Sequence, residues 1–334
     1  MAGAIAISVV IVNWNARDAL EECLVSLEAQ TDADFETIVV DNGSHDGSIE
    51  RVRERFPRVK LIDTGANLGF AEGCNVGIAA ASGSWIATLN NDTVVDARWI
   101  AELHEAARGA GPGVGMLQSR IVFRRAPART NSTGVLLFRN GSARDRDFDV
   151  PVRDDDALEE IFCPTAGAAL YRRSMLERTR LPTGFFDRTF FMYFEDVDLG
   201  WRCRLAGYTA LYVPGARVEH EFQMSSKKRP GRFIGMHLKR NRMRMLLKNG
   251  SLSFIARTLP KTLFDAFEAV LWEGPGALPG LVRAALDGAR QRPAVERFRR
   301  AGRDDVERRW LSPSPPEDAI PRVILDALAS LVGK

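Results

Sequence analysis

The feature that most narrows what this chain can fold into is an alternation repeated across residues 5–92. Apolar runs rich in Val and Ile (Ile7–Val12, Thr37–Val40, Val59–Ile62 and Trp85–Leu89) are separated by amphipathic stretches. Runs that are apolar at nearly every position suit parallel strands covered on both faces. The spacing between them is helical. Leu20, Cys23, Leu24 and Leu27 follow i, i+3, i+4, i+7; Ile49, Val52 and Phe56 follow i, i+3, i+7; Ala71, Cys74, Ile78 and Ala81 do much the same. Such alternation predicts right-handed βαβ units, hence an α/β fold with a doubly wound, mostly parallel sheet flanked by helices. Open sheets of this kind bind ligands beyond the carboxyl ends of their strands. That rule points at Asn13-Trp14-Asn15, Asp41-Asn42-Gly43-Ser44, Gly65-Ala66-Asn67 and Asn90-Asn91-Asp92.

The middle third is less regular. Val135–Phe138 followed by Arg139-Asn140-Gly141-Ser142 reads as a hairpin with a tight Asn-Gly turn. Residues 144–157 are densely charged and read as a mobile loop. Thr165–Tyr171 reads as a strand, and from Glu195 a helix begins, with Val197, Trp201 and Leu205 on one face and Gly207 as its stop. Thr209–Val213 reads as a short strand followed by a Pro-Gly turn. The character changes near Gln223, which suggests a domain over 1–222 and a basic, mostly helical extension over 223–334. Residues 223–250 hold nine Lys and Arg and no acid, and residues 252–272 suit an amphipathic helix. Gly274, Pro275, Gly276 and Pro279 mark a break; Ser312–Pro316 reads as a linker before a last helix around Ala319–Leu331.

A chain of 334 residues can bury a large core without staples. Its four cysteines, Cys23, Cys74, Cys163 and Cys203, show no metal-ligand spacing and read as small core residues in a reducing compartment. A net charge of +3 argues against wrapping by nucleic acid, and no nucleic-acid motif accompanies the basic stretch. The longest uncharged stretch, Gly73–Asn91, is broken by Gly, Ser and Asn and is not expected to span a membrane.

Four groups could carry chemistry. Asp41 follows a strand, where a carboxylate can accept hydrogen bonds from a base or ribose, though Asp-Asn-Gly-Ser is equally a good turn. In Asn90-Asn91-Asp92, a carboxylate and amide oxygens can face one hard cation, or simply cap a helix. Adjacent Glu195 and Asp196 suit a helix N-terminus; beside Phe190, Phe191, Tyr193 and Phe194 they also suit a general base with sugar-stacking faces. His220 could be a third metal ligand or a structural histidine.

Taken together these residues resemble a family 2 glycosyltransferase of GT-A fold, in its rhamnosyltransferase-like branch. The motifs are Val10-Ile11-Val12-Asn13-Trp14-Asn15, Val40-Asp41-Asn42-Gly43-Ser44, Asn67-Leu68-Gly69-Phe70-Ala71-Glu72-Gly73-Cys74-Asn75 with Leu89-Asn90-Asn91-Asp92, and Phe191-Met192-Tyr193-Phe194-Glu195-Asp196-Val197-Asp198-Leu199. They fall in order within about residues 5–250. The resemblance implies that Asp41 reads the base and that Val12, Asn13, Asn15, Asn67, Gly69, Asn75, Asn90 and Asn91 surround the donor. It places Asn90 and Asp92 at the family's DxD position, with His220 completing a Mg²⁺ or Mn²⁺ site. Asp196 becomes the catalytic base, with Glu195 beside it. Asn90 departs from the wider family, since a neutral amide stands where the first acid is expected. The implied partners are a nucleotide-diphosphate sugar donor, with dTDP-rhamnose favoured, and a saccharide or polyprenyl-diphosphate-linked acceptor in cell-surface polysaccharide synthesis. The implied location is cytoplasmic, peripheral on the inner face of the cell membrane; the basic stretch 223–250 itself reads as a solvated helix face or as an interfacial helix on an anionic membrane surface, and the last residues as helical packing or a contact with a second copy of the chain. A nucleotidyltransferase and a non-catalytic sugar-binding module are the alternatives.

Overall fold

In the computed structural model, which describes residues 7–153, 157–221 and 231–315, the apolar runs become the centre of a sheet. Strands β1 (Ile7–Asn13), β2 (Phe35–Asp41), β3 (Lys60–Asp63) and β4 (Trp85–Asn90) alternate with helices α1 (Arg17–Glu28), α2 (Ser48–Arg55) and α3 (Phe70–Ala80). There follow β5 (Thr93–Val95), α4 (Trp99–Gly109), β6 (Val114–Phe123), β7 (Ala126–Ser132), β8 (Val135–Phe138), β9 (Ala143–Asp145) and β10 (Glu159–Ile161). Then come β11 (Ala168–Arg172), α5 (Arg173–Arg178), α6 (Glu195–Leu205) and β12 (Thr209–His220). The C-terminal part is helical: α7 (Gly231–Asn249), α8 (Leu252–Glu273), α9 (Leu278–Glu296) and α10 (Arg303–Trp310), closed by β13 (Leu311–Ser312).

The main sheet runs β10-β12-β6-β11-β4-β1-β2-β3, with β5 on β12 and β7 on β6. β1, β2, β3 and β4 pair in parallel, as do β6 and β12; β11 lies antiparallel between β4 and β6. The continuous apolar character of β1 now has its cause. Ile7, Val9 and Ile11 face one core with α1, α2 and α4, while Val10 faces another with α3, α5 and α6. On α3, a Cβ at Gly73 would stand 2.7 Å from Val12 Cγ1 and one at Gly77 2.2 Å from Val10 Cγ1. Those glycines therefore let the helix lie close on β1, and Gly73 is explained by packing rather than by a bound ligand.

Three local readings change. Pro214-Gly215 is not a turn between strands: β12 runs unbroken from Thr209 to His220 with a register shift between Val213 and Arg217, a place where a strand tolerates proline. The charged stretch after Ser142 is partly ordered, because Ala143–Asp145 pairs antiparallel with β8 across the expected Asn-Gly turn. Ser312 belongs to a strand as well, since Leu311–Ser312 pairs with Leu137–Phe138 in a second, three-stranded sheet. The helix expected around residues 319–331 lies outside the described residues. The four cysteines are free and buried.

A third core joins α6 to the C-terminal helices: Val197, Trp201 and Leu205 meet Met245, Leu246, Phe254, Val295 and Val306. The basic residues of α7 are mostly turned to this inner side. Arg242 pairs with Asp265, Arg244 with Asp287, Lys239 with Glu268, and Lys248 with Asp187 and Asp198. Lys227, Lys228 and Arg229 lie outside the described residues.

Candidate active site

Register alone gathers the expected groups. Asn13 pairs with Asp41, and Val12 with Asn90, so the carboxyl ends of β1, β2 and β4 form one rim. His220 ends β12 opposite Thr93, which brings it beside Asp92. The N-terminus of α6 adds Glu195 and Asp196. Val12, Asn67, Gly69, Asn90, Asn91, Asp92, Glu195, Asp196 and His220 all line a single cavity of about 560 Å³.

Asn13, Asn15, Asp41 and Asn75 do not line it. Asn13 is buried and donates to Asp41 (2.8 Å), while its own side-chain oxygen accepts from Asn91 (2.8 Å). The other Asp41 oxygen accepts the Ser44 N–H at 2.7 Å. Asn15, at φ 50°, holds His45 N–H with its side-chain oxygen. These three knit the rim from behind. The Asn75 amide exchanges hydrogen bonds with the backbone of Phe186 at 2.9 Å each way, so it ties α3 to the loop after α5.

Asp92 and His220 face one another, with Oδ1 and Nε2 3.2 Å apart. His220 Nδ1 lies 2.7 Å from Asn131 Oδ1. When Nδ1–H donates to that oxygen, Nε2 presents a lone pair beside a carboxylate, and a cation or a proton must lie between them. One carboxylate and one imidazole are the kind of sparse protein set that a divalent ion shares with phosphate oxygens. Among the described residues no group of three or more His, Cys, Asp or Glu converges on one point, so any ion here takes its remaining ligands from Asn90, substrate or water.

The approach to Glu195 and Asp196 is strained. Phe191 (φ 63°), Tyr193 (φ 68°) and Phe194 (φ 68°) all adopt positive φ, rare for bulky residues. At Phe191, with ψ −61°, Met192 N–H donates to Phe190 C=O at 2.7 Å, which makes a γ-turn of the strained hand. Gly69 is required beneath it: at φ 84°, a Cβ there would come within 2.5 Å of the Phe191 ring and carbonyl. The loop is held from above by Asn241 of α7. Its buried amide nitrogen donates to the carbonyls of Phe190 (2.9 Å), Met192 (2.8 Å) and Tyr193 (2.9 Å), and Arg244 fixes its oxygen at 2.8 Å.

Asp196 accepts from the N–H groups of Ala166 (3.1 Å) and Val197 (2.7 Å). Burial nevertheless pushes its pKa above the ordinary aspartate value, outweighing those bonds. Glu195 is pushed far higher, first by burial and then by the charge of Asp196, and its Oε2 has no hydrogen-bond partner among the described residues. A third carboxyl was not legible in the sequence. Asp145 enters the cavity from β9, and burial, aided by Asp196, pushes its pKa up to about 6 against the pull of Ser132 and His220. It was hidden in a run of charges that reads as solvated loop. The alternation on β9, which turns Asp145 to the same side as the apolar Ala143, was the one available sign.

The mostly parallel sheet with its cavity beyond the strands' carboxyl ends is a GT-A architecture. A family model described as Glycosyl transferase family 2 matches residues 8–180. N-acetylglucosaminyl-diphospho-decaprenol L-rhamnosyltransferase of Mycobacterium tuberculosis is 30% identical over 257 residues, 69% of this chain and 81% of that protein. The chain belongs to glycosyl transferase family 2. The succinoglycan biosynthesis protein ExoO of Rhizobium meliloti is 34% identical over 106 residues, 31% of this chain and 30% of that one. Among solved structures, GalNAc-T7 with UDP, GalNAc and Mn²⁺ aligns with a TM-score of 0.56 at 16% identity, over 74% of this chain and 48% of that one. S. aureus TarS 1-349 in complex with UDP-GlcNAc aligns with a TM-score of 0.52 at 15% identity, over 88% and 83%. The matched family segment contains Asp41 and Asp92 but stops before Asp196 and His220, so those two rest on the geometry above.

Proposed function

We propose that this protein is an inverting glycosyltransferase that moves a sugar, L-rhamnose from dTDP-rhamnose in the first instance, to a saccharide acceptor carried on a polyprenyl diphosphate, in the synthesis of a cell-surface polysaccharide. The single observation that carries this reading is that Asp196 and the Asp92–His220 pair line one cavity although Asp92 and Asp196 are more than a hundred residues apart in sequence. The relative that acts on a decaprenol-linked acceptor supports the acceptor class and the sugar.

In this reading the rim amides place the nucleotide, with the base toward Trp14 and Asn42, which Asp41 supports from behind, and the diphosphate toward Asp92. Asp92 and His220, with Asn90 beside them, would hold Mg²⁺ or Mn²⁺, which would supply positive charge against that developing on the departing diphosphate. Asp196 takes the proton of the acceptor hydroxyl, which attacks the anomeric carbon from the face opposite the leaving group. That single displacement inverts the centre. Burial raises the pKa of Asp196, which makes it a stronger base than an ordinary carboxylate. Phe191 and Tyr193 offer the acceptor a stacking wall.

The test is to offer purified protein a set of nucleotide sugars with a short-chain polyprenyl-diphosphate sugar acceptor. The expected product is a disaccharide lipid of inverted anomeric configuration with release of a nucleoside diphosphate. Release of pyrophosphate instead would indicate nucleotidyl transfer and refute the reading.

A further inference from the structure

Surface helices ordinarily turn charge outward. α8 and α9 also turn an apolar stripe outward. On α8, Leu252, Leu259, Leu263, Phe267 and Leu271 point to solvent, and on α9 Leu278, Val282 and Leu286 recur every fourth residue; their exposures run from 40% to 76%. The other exposed positions of α8 are Ser253, Ala256, Arg257, Pro260 and Trp272, so Arg257 is the one charge exposed among the positions described. An apolar face on two neighbouring helices exceeds the scattered apolar residues of an ordinary surface.

The charges around the face are sorted by sign. Asp265 is buried against Arg242 and Lys261, Glu268 pairs with Lys239, Asp287 with Arg244, and Glu296 with Arg299 and Arg303. Arg257, Arg283 and Arg290 are exposed. An apolar stripe edged by arginines matches the boundary between acyl chains and anionic headgroups, where a helix lies in the plane of the surface. Among the described residues no helix is long and apolar enough to cross a membrane, so contact in the plane is the mode the residues permit.

We propose that the paired outer faces of α8 and α9 are a docking surface for a lipid bilayer bearing anionic headgroups. The basic helix α7 is not itself the lipid-facing surface, since Lys239, Arg242, Arg244 and Lys248 are taken up by internal ion pairs. α7 instead bridges the two functions. Ile234 and Leu238 line the active-site cavity, while Met236 and Met243 pack against Ala266, Ala269 and Leu281. One helix, roughly 10 Å across, joins the catalytic cavity to the docking helices, which brings a lipid-anchored acceptor within reach. The surface does not depend on the transferase reading and can fail without it.

The test is co-sedimentation of the full chain with vesicles of equal parts phosphatidylcholine and phosphatidylglycerol, and with phosphatidylcholine alone. Binding to the anionic vesicles is expected, weakened by salt. Replacing Leu259, Leu263 and Phe267 by Ser is expected to weaken partitioning on the order of 10²–10³-fold, about tenfold for each side chain, with melting temperature retained. Arg283→Gln with Arg290→Gln should remove most of the salt dependence. Absence of binding, or equal binding by the triple variant, would overturn the proposal. So would a stable dimer in sedimentation equilibrium that the triple variant dissociates, since the face would then belong to a second copy. Binding that appears only when the chain is cut after Pro315 would overturn it too, the terminal segment being the occupant.

Discussion

Asn241→Leu tests whether the C-terminal helices hold the catalytic loop in its working shape. The Asn241 amide nitrogen donates to three carbonyls of the loop that leads into Glu195 and Asp196. Its two N–H groups are shared among the three carbonyls; at about 1 kcal/mol net for each N–H, the clamp contributes about 2 kcal/mol. Opposing it, Phe191, Tyr193 and Phe194 sit at positive φ, at a cost of order 1–3 kcal/mol each. The clamp therefore offsets part of that strain, and its loss shifts the loop toward other conformations. Leucine fills nearly the same volume, donates nothing, and leaves three carbonyls without their donor. The variant should lose about 2–3 kcal/mol in urea unfolding. It should also lose on the order of 10²-fold in kcat/KM under conditions where it is fully folded, because an ångström of displacement at the base removes alignment. The loss should fall on kcat more than on donor affinity, since Asp92 and the rim amides are untouched. A variant less than about 0.5 kcal/mol destabilised and within about twofold of normal kcat/KM would refute the clamp.

Four other outcomes follow from the site. Asp196→Asn should reduce kcat by about 10²–10⁴-fold while nucleotide-sugar binding, read by thermal shift, survives; unchanged turnover would remove Asp196 as the base. A nucleoside diphosphate with Mn²⁺ should raise the melting temperature more than the sum of the two alone, and Asp92→Ala or His220→Ala should abolish that excess; stabilisation by nucleotide that ignores the metal would remove the cation site. Glu195 has a folded pKa raised above 4.5, so its contribution to stability is present below 4.5 and lost as pH rises through the folded value. Glu195→Gln should therefore gain stability over the parent as pH rises from about 4 to about 8, with no gain at the acid end; a constant difference across that range would contradict the buried, disfavoured charge. The acid limb of kcat/KM should lie above that of an ordinary aspartate, since burial raises Asp196; a limb at the ordinary aspartate position would remove the buried base.

The sheet was readable because burial on both faces writes itself into sequence as unbroken Val and Ile, and strand ends can be counted from there. Asn90-Asn91-Asp92 and Asp41 were located by that counting alone. Asp196 was readable because an acidic pair after an aromatic run is unusual. What was not readable depended on contacts between distant segments. Asn241 is one polar residue in a basic helix, and nothing local shows that three carbonyls from residues 190–193 converge on it. Asp145 looked like one acid among many, because pairing of β9 with β8 is what turns it inward. The basic stretch looked like a surface, yet its partners Asp187, Asp265 and Asp287 come from three other segments. Local composition reports net charge but not which side chains meet.

Lys248 shows most directly that the C-terminal helices and the catalytic helix are one cooperative unit. Its ammonium is fully buried with Asp187, and lies 3.1 Å from Asp198, which also takes Arg202 Nε at 3.0 Å and Asn249 at 2.8 Å. Two carboxylates and two cations balance in a fully buried region. Burial by itself would raise the pKa of Asp187, but the charge and hydrogen bond of Lys248, with Thr189, hold it far below the usual range. Asp198 lies two residues after Asp196 on α6, so the same cluster fixes the helix that presents the proposed base. Lys248→Met leaves a net negative charge buried and should cost about 3–5 kcal/mol. Adding Asp187→Asn removes the orphaned charge and should recover much of that loss, a non-additivity expected only of groups in one network. Urea unfolding followed by far-ultraviolet dichroism and by tryptophan fluorescence should give one coincident transition in the parent. A cost under about 1 kcal/mol for Lys248→Met, or separate melting of the C-terminal helices, would show instead that they are an appendage on which the catalytic helix does not depend.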